Sequence, residues 1–139
     1  MSTILETGRY TVRNAKYLNV AFLPDGNYES DIVARSEQTN DGEKWNITLL
    51  NNSRHTINSH QYSTNFATSE YRPTKGASVR SQGRNQQWII RETRVRGQYT
   101  ISPTDGELYW GLTDGEDLTP IVLAETPNDP KNQWTFKKA

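Results

Sequence analysis

Five residues late in the chain have the types needed to hold a ring-shaped polar molecule without breaking it: Tyr109, Trp110, Asp114, Glu116 and Asn128. An indole offers an apolar platform on which the face of a pyranose stacks, and carboxylates and an amide at the rim exchange hydrogen bonds with hydroxyls, the usual division between platform and polar anchors. Chemistry of this kind is binding only. Tyr71, between Glu70 and Arg72, is a second candidate platform and is equally read as an exposed loop tyrosine. Catalytic equipment does not assemble in the same way. His55 and His60 are the only histidines, five residues apart in one short stretch, with no cysteine and no nearby Asp or Glu to orient either ring. Asp114, Glu116 and Asp117 do not have the spacing of a calcium loop, and no glycine motif that cradles phosphate is present. The reading is no enzyme, no cofactor and no metal.

The elements that would position those residues come from an internal repeat. Asn85-Gln86-Gln87-Trp88-Ile89-Ile90 has close copies in Glu43-Lys44-Trp45-Asn46-Ile47 and Asn132-Gln133-Trp134-Thr135-Phe136, with the tryptophans 43 and 46 residues apart. Tyr10-Thr11-Val12, His55-Thr56-Ile57 and Tyr99-Thr100-Ile101 open the three units, each rich in the β-branched residues that suit a half-buried strand. A second run follows in each (Tyr17 to Val20, Gln61 to Thr64, Leu108 to Gly111), then a polar loop, then a third run (Ile32 to Ala34, Ala77 to Val79, Ile121 to Leu123), then the tryptophan strand. No window has capped helical periodicity, so the chain is read as all-β with at most a 3₁₀ turn before each tryptophan.

Three four-stranded units whose apolar faces are individually too small to bury call for a shared core. A closed six-stranded barrel capped by three hairpins, with pseudo-threefold symmetry, meets that need and removes the free strand edges. This is a β-trefoil, one domain over residues 1–139 with repeats at about 8–51, 52–96 and 97–139. The framework tryptophans belong inside it. Trp110 is the only one of the four tryptophans outside the framework, and is read either as a platform or as a hairpin-cap core residue.

Composition narrows the functional classes. Only 32% of residues are hydrophobic, but they arrive in short, evenly spaced clusters, as in a folded chain with long solvated loops. Cysteine is absent, so no disulfide framework constrains the fold or the compartment. No apolar run approaches a bilayer span, and the N-terminal stretch lacks a basic region followed by an apolar one, so membrane insertion is not expected and a cytoplasmic location is. Sixteen basic and sixteen acidic residues cancel, which argues against general phosphate or nucleic-acid binding. The balance is uneven along the chain: residues 72–98 hold seven basic residues against Glu92, and residues 99–130 hold seven acids and no base. These are either loop charges that pair between repeats or a polarised partner surface.

With the repeated polar-x-Trp or Gln-Trp ending each unit, the whole chain resembles the fungal ricin-B-type (QxW) β-trefoil lectins, and its cysteine-free form is similar to the cytoplasmic defence lectins of mushrooms. The opening Leu5-Glu6-Thr7-Gly8-Arg9-Tyr10 is similar to openings in that group and in the mushroom β-trefoil serine-protease inhibitors. In the galactose-binding pocket of such lectins an Asp after the first hairpin strand and an aromatic after the third hold the sugar. The residues near those places here are Val20, Asn65 and Gly111, and Ser36, Ser81 and Ala124, so ordinary galactose binding is not implied.

Tyr99 to Pro103 with Tyr109-Trp110-Gly111-Leu112 is similar to a fungal subgroup that recognises fucosylated N-acetylglucosamine cores through one repeat. The resemblance thus implies a lectin whose partners are glycans or glycoproteins, GlcNAc- or fucose-containing, bound at the repeat-three hairpin and loop through Tyr109, Trp110, Asp114, Glu116 and Asn128. The alternative is a protease as partner, inhibited through a rigid loop carrying Arg72-Pro73, Lys75-Gly76 or Arg84-Asn85.

Overall fold

The computed structural model describes residues 4–104 and 106–139. Residues 1–3, and Asp105 in the stretch Ser102-Pro103-Thr104-Asp105-Gly106 whose composition predicts a turn, lie outside the described residues. The strands are β1 (Gly8–Asn14), β2 (Val20–Phe22), β3 (Val33–Arg35), β4 (Trp45–Leu49), β5 (His55–Ser59), β6 (Phe66–Thr68), β7 (Arg80–Gln82), β8 (Gln87–Glu92), β9 (Tyr99–Pro103), β10 (Tyr109–Gly111), β11 (Thr119–Pro120), β12 (Val122–Ala124) and β13 (Trp134–Lys138). All pairings among them are antiparallel.

Six of these close a ring. β1 pairs β4, β4 pairs β5, β5 pairs β8, β8 pairs β9, β9 pairs β13, and β13 returns to β1. The register sets Ile47 opposite Ile57, Ile90 opposite Ile101 and Phe136 opposite Val12, so each long ladder presents one apolar pair in the same relative position. Five of those six side chains are buried and Phe136 is packed against them. Closure leaves no unpaired edge in the barrel. The hairpins β2/β3, β6/β7 and β10/β12 cap it.

Each framework tryptophan ties its strand to its own hairpin. The indole Nε1 of Trp45 donates to the Ala21 carbonyl (3.1 Å), that of Trp88 to Ala67 (2.9 Å) and that of Trp134 to Trp110 (2.9 Å). A buried indole N–H usually finds an acceptor, and the equivalent acceptor in all three units explains why tryptophan recurs at this position, whereas the buried Nε1 of Trp110, outside the framework, has no partner among the described residues. The hairpins in turn meet around a triangle of backbone bonds. Ile32 N donates to Val79 O (2.9 Å), Val79 N to Ile121 O (2.8 Å) and Ile121 N to Ile32 O (2.9 Å), with all three side chains fully buried. This is the β-trefoil expected from the repeats.

Several local expectations shift. The second strands begin at Val20 and Phe66 rather than at Tyr17 and Gln61, because those earlier residues are held in turns. Asn14 Oδ1 accepts from Lys16 N and Tyr17 N (3.1 and 3.0 Å), Ser59 Oγ accepts from Tyr62 N (3.0 Å), and the two tyrosine rings pack onto the core from there. In repeat two the third run, Ala77 to Val79, feeds the triangle, and the strand follows it at Arg80. A 3₁₀ turn precedes Trp45 (Asp41–Glu43) and Trp134 (Pro130–Asn132), capped by the side chains of Asn40 and Asp129. Gly83 occupies the equivalent place in repeat two and has no side chain to cap one, so that segment stays irregular. β11 is additional to the twelve expected strands; it clips the repeat-three loop onto β3 of repeat one.

Candidate functional site

The tryptophan bonds align the three hairpins residue by residue, placing Ala21, Ala67 and Trp110 together, then Phe22, Thr68 and Gly111, with Arg35, Gln82 and Ala124 on the facing strand. Glu43, Gln86 and Asn132 stand two residues before the respective tryptophans. These positions border one groove per repeat, and each repeat treats it differently.

In repeat one the space is filled. The Arg35 guanidinium lies 3.5 Å over the Phe22 ring and its Nε and Nη2 donate to Glu43 Oε2 at 3.1 and 2.8 Å. Glu43 is 0% exposed and also accepts from the Gln38 backbone N–H (3.0 and 3.1 Å). Phe22 in turn lies against Gly42, where an added Cβ would approach the ring to 2.6 Å. A buried carboxylate requires this degree of pairing.

In repeat two Gln86 replaces the acid. Its Oε1 accepts from Ser69 N (2.9 Å) and Arg84 Nη1 (3.2 Å), while its Nε2 donates to Ser69 Oγ (2.9 Å). Arg84 Nη2 donates to the Ser69 carbonyl. What remains is two small clefts of about 200 and 240 Å³ under the loop carrying Glu70 and Tyr71.

Repeat three is open. Asn132 is one methylene shorter than Gln86, and its Nδ2 turns to the Thr126 carbonyl and hydroxyl (both 2.9 Å). Its Oδ1, in a side chain 1% exposed, is buried against Gly111 without a hydrogen-bond partner. Only glycine fits there, since a Cβ on residue 111 would come within 1.9 Å of that oxygen. With Ala124 in the place of Arg35, a groove of about 370 Å³ runs between the hairpin and residues 125–131. Leu112, Val122 and Ala124 supply its apolar wall, and Thr113, Thr126, Lys131 and Asn132 its polar one. At one end the repeat-two loop brings Lys75, ion-paired with Glu125 at 3.2 Å.

The five residues expected to form one site are distributed over three places. Trp110 is 1% exposed and packs edge-to-face on Trp88 (centroids 5.3 Å) and Trp134 (6.3 Å), so its ring is core and cannot serve as a stacking platform. The space it fills exists because the residues that align with it are the small Ala21 and Ala67. Tyr109 and Asn128 do come together, with Arg91, Arg94 and Thr100, in a second and shallower groove of about 500 Å³. Asp114 and Glu116 belong to the loop that is clipped onto repeat one. Asp114 Oδ1 accepts from Thr119 Oγ1 (2.6 Å) and Glu116 N (3.0 Å), and the Thr119 bond first, then the Glu116 bond, holds its carboxyl below the usual range. In the same loop Asp117 accepts from Ser36 N (2.8 Å), Leu118 N donates to Ala34 O (2.7 Å), and Gly115 lies against Tyr17.

Sequence reasoning missed the groove lined by Leu112, Ala124, Thr126 and Asn132. Its signal was present as small residues, Gly111 and Ala124, beside the shortest of the three polar residues that precede the tryptophans. Tyr71 is 89% exposed at the rim of the repeat-two clefts. Among the basic loop residues, Arg84 and Lys75 are engaged as described, while Arg72 is exposed.

The two histidines are apart in role as well as place. His55 is fully buried, its Nε2–H donates to the Leu5 carbonyl (2.7 Å), and its Nδ1 has no partner. Burial pushes its pKa below the ordinary imidazole value, with the Leu5 bond opposing. His60 Nε2 lies 3.4 Å from Arg9 Nη1 at the surface. Among the described residues no three His, Asp or Glu side chains converge as a metal site would require.

No protein-family model and no curated protein matches the sequence. Solved structures do match in shape. The ricin B-like lectin of Macrolepiota procera, solved in complex with lactose, superposes with a TM-score of 0.87 at 17% identity over 99% of both chains. The Rhizoctonia solani agglutinin gives 0.88 at 16% identity over 97% of both. A designed threefold-symmetric protein, ThreeFoil, gives 0.86 at 14% identity over 95% of this chain and 99% of its own. At such identities the likeness establishes the fold, the β-trefoil shared with the fungal ricin-B-like lectins.

Proposed function

We propose that this protein is a lectin that binds glycans non-covalently at the repeat-three hairpin and loop. The observation that carries the reading is the groove itself. Of three equivalent places, repeat one is plugged by the Arg35–Phe22–Glu43 stack and repeat two holds the Arg84–Gln86–Ser69 network with two small clefts of about 200 and 240 Å³, whereas repeat three holds one groove of about 370 Å³ with both apolar and polar walls. A volume of that size with few polar groups suits one or two sugar residues. The shared fold with a lactose-bound lectin and an agglutinin supports the same reading.

The ligand class follows from what lines the groove. Gly111 and Ala124 provide neither a carboxylate nor an aromatic ring, so a bare galactoside has little to hold it. Leu112, Val122 and Ala124 instead present an aliphatic wall that accommodates the methyl of an acetamido group or of fucose, beside the Thr113 and Thr126 hydroxyls and Lys131. GlcNAc- or fucose-containing glycans are the proposed ligands, and the action is binding without turnover.

The test is a glycan array probed with the protein and with Ala124→Arg, which copies the repeat-one plug into repeat three. A defined family of hits, lost in the variant while its thermal transition is retained, is the expected result. A blank array, or hits that survive Ala124→Arg, would remove the assignment; a blank array together with stoichiometric inhibition of trypsin would move the function to protease inhibition.

A further inference from the structure

We infer that the second groove, lined by Arg91, Arg94, Thr100, Tyr109 and Asn128, is an anion-binding subsite for a saccharide that carries a sulfate or carboxylate. It is separate from the groove around Ala124, and residues 125–128 run from one to the other, with Glu125 and Thr126 on the first and Pro127 and Asn128 on the second. Its distinguishing feature is free positive charge. Three other basic residues of repeat two are committed, Lys75 to Glu125, Arg80 to Asp31 at 3.6 Å, and Arg84 to Ser69 and Gln86, while Arg54, Arg72 and Arg96 lie outside this groove. Arg91 and Arg94 are exposed and have no carboxylate within 4.0 Å among the described residues. Glu92 also lines the groove, with its Oε2 accepting from Gly97 N at 2.9 Å.

Two arginines lining one concavity of about 500 Å³ are suited to an oxyanion, because the planar N–H forks of guanidinium groups match carboxylate and sulfate oxygens. The half-buried Tyr109 ring, the Thr100 hydroxyl and the Asn128 amide beside them supply the stacking and hydrogen-bonding partners of a sugar ring. A long polyanion is disfavoured by the surroundings. Glu107, Glu125 and Asp129 flank this face in the sequence, the chain has no net charge, and a single aromatic ring offers no row of stacking platforms for bases.

The experiment compares binding of neutral lactosamine, sulfated lactosamine and sialylated lactosamine, at low and at raised salt, to the protein, to Arg91→Gln/Arg94→Gln and to Ala124→Arg. The acidic probes are expected to bind about tenfold more tightly than the neutral one at low salt, with the difference shrinking as salt screens it. The double arginine variant should erase the difference with an unchanged thermal transition, and Ala124→Arg should weaken all three probes alike, leaving the ratio of acidic to neutral affinity intact. Equal affinity for all three probes, or a difference that survives in the arginine variant, overturns the inference. So does capture of a single-stranded oligonucleotide through the same arginines as tightly as the acidic sugars. A difference lost in Ala124→Arg but kept in the arginine variant overturns it too, while leaving the lectin reading in place.

Discussion

In repeat one Glu43 stands two residues before its tryptophan, and in repeat three Asn132 stands two residues before its own; both side chains are buried at the same point of the same hairpin scaffold. The carboxylate recruits Arg35, which lies on Phe22, and the backbone N–H of Gln38, so that the groove is consumed in satisfying one charge. The amide needs less. Two bonds to Thr126 suffice for its Nδ2, its oxygen rests against a glycine, and alanine on the facing strand leaves the space unclaimed. A repeated scaffold thus holds its shape through the tryptophan bond and the backbone triangle, while one polar position decides whether the groove of a repeat is filled or open.

The comparison extends to the hairpin residue that accepts the tryptophan bond, Ala21 in repeat one and Trp110 in repeat three. Trp110 makes two edge-to-face contacts, each of a kind worth about 0.5–1.5 kcal/mol beyond area burial. Trp110→Ala should therefore produce the largest effect, a loss of about 3–5 kcal/mol in urea unfolding. A loss under about 0.5 kcal/mol would be the signature of an exposed ring and would return Trp110 to the surface.

Next in size is Arg35→Ala, which leaves the Glu43 carboxylate buried without its cation and should cost about 3 kcal/mol of stability. The same denaturation measured on Arg35→Met/Glu43→Gln should recover most of that loss, since the buried charge is then gone. Failure to recover would mean that the stack on Phe22, rather than the ion pair, holds repeat one closed.

Ala124→Arg should change stability by less than about 0.5 kcal/mol while weakening glycan binding by about tenfold or more, read by titration calorimetry with an array hit. It is the direct conversion of repeat three toward repeat one.

A smaller effect is expected from pH. His55 stands where the other two repeats have Tyr10 and Tyr99, beneath the Leu5 carbonyl. An unfolded imidazole takes up a proton near pH 6.5, whereas burial holds His55 neutral to lower pH. The unfolded chain then binds protons that the folded chain does not, so stability falls as pH drops below about 6.5. The lowered carboxyls, Asp25 through its Ser30 bond and Asp114 through its Thr119 bond, lose their contribution only below pH 3.8, outside that window. His55→Gln should flatten the slope between pH 7 and pH 5 in chemical denaturation; an unchanged slope would assign it elsewhere.

The smallest effect belongs to Asp114→Asn. Because Asp114 is fully exposed and its oxygen is used within its own loop, glycan binding should be unaltered, and a loss of binding would bring that loop back into the site.

The threefold architecture was readable from the chain alone because its determinants are local and repeated. A tryptophan followed by alternating apolar residues, a β-branched strand opener and a polar turn recur at a near-constant period, and each unit buries its apolar face only by closing with the others. At most a 3₁₀ turn was expected before each tryptophan; the caps Asn40 and Asp129 form two of them, and Gly83, which has nothing to cap with, leaves the third unformed.

The open groove of repeat three was not legible in the chain alone. The fate of Trp110 depends on Trp88, a neighbour from another unit, and on Ala21 and Ala67 leaving the volume it occupies, and no local pattern encodes that register. Whether a groove is open depends likewise on pairs far apart in the chain, such as Gly111 with Asn132 and Ala124, or Phe22 with Arg35 and Glu43. Composition and period reflect backbone hydrogen bonding and average burial, which act within a repeat. The choice between a plug and an open groove is made by side-chain volume and by the need to satisfy one buried polar group, and both are set where strands distant in sequence meet.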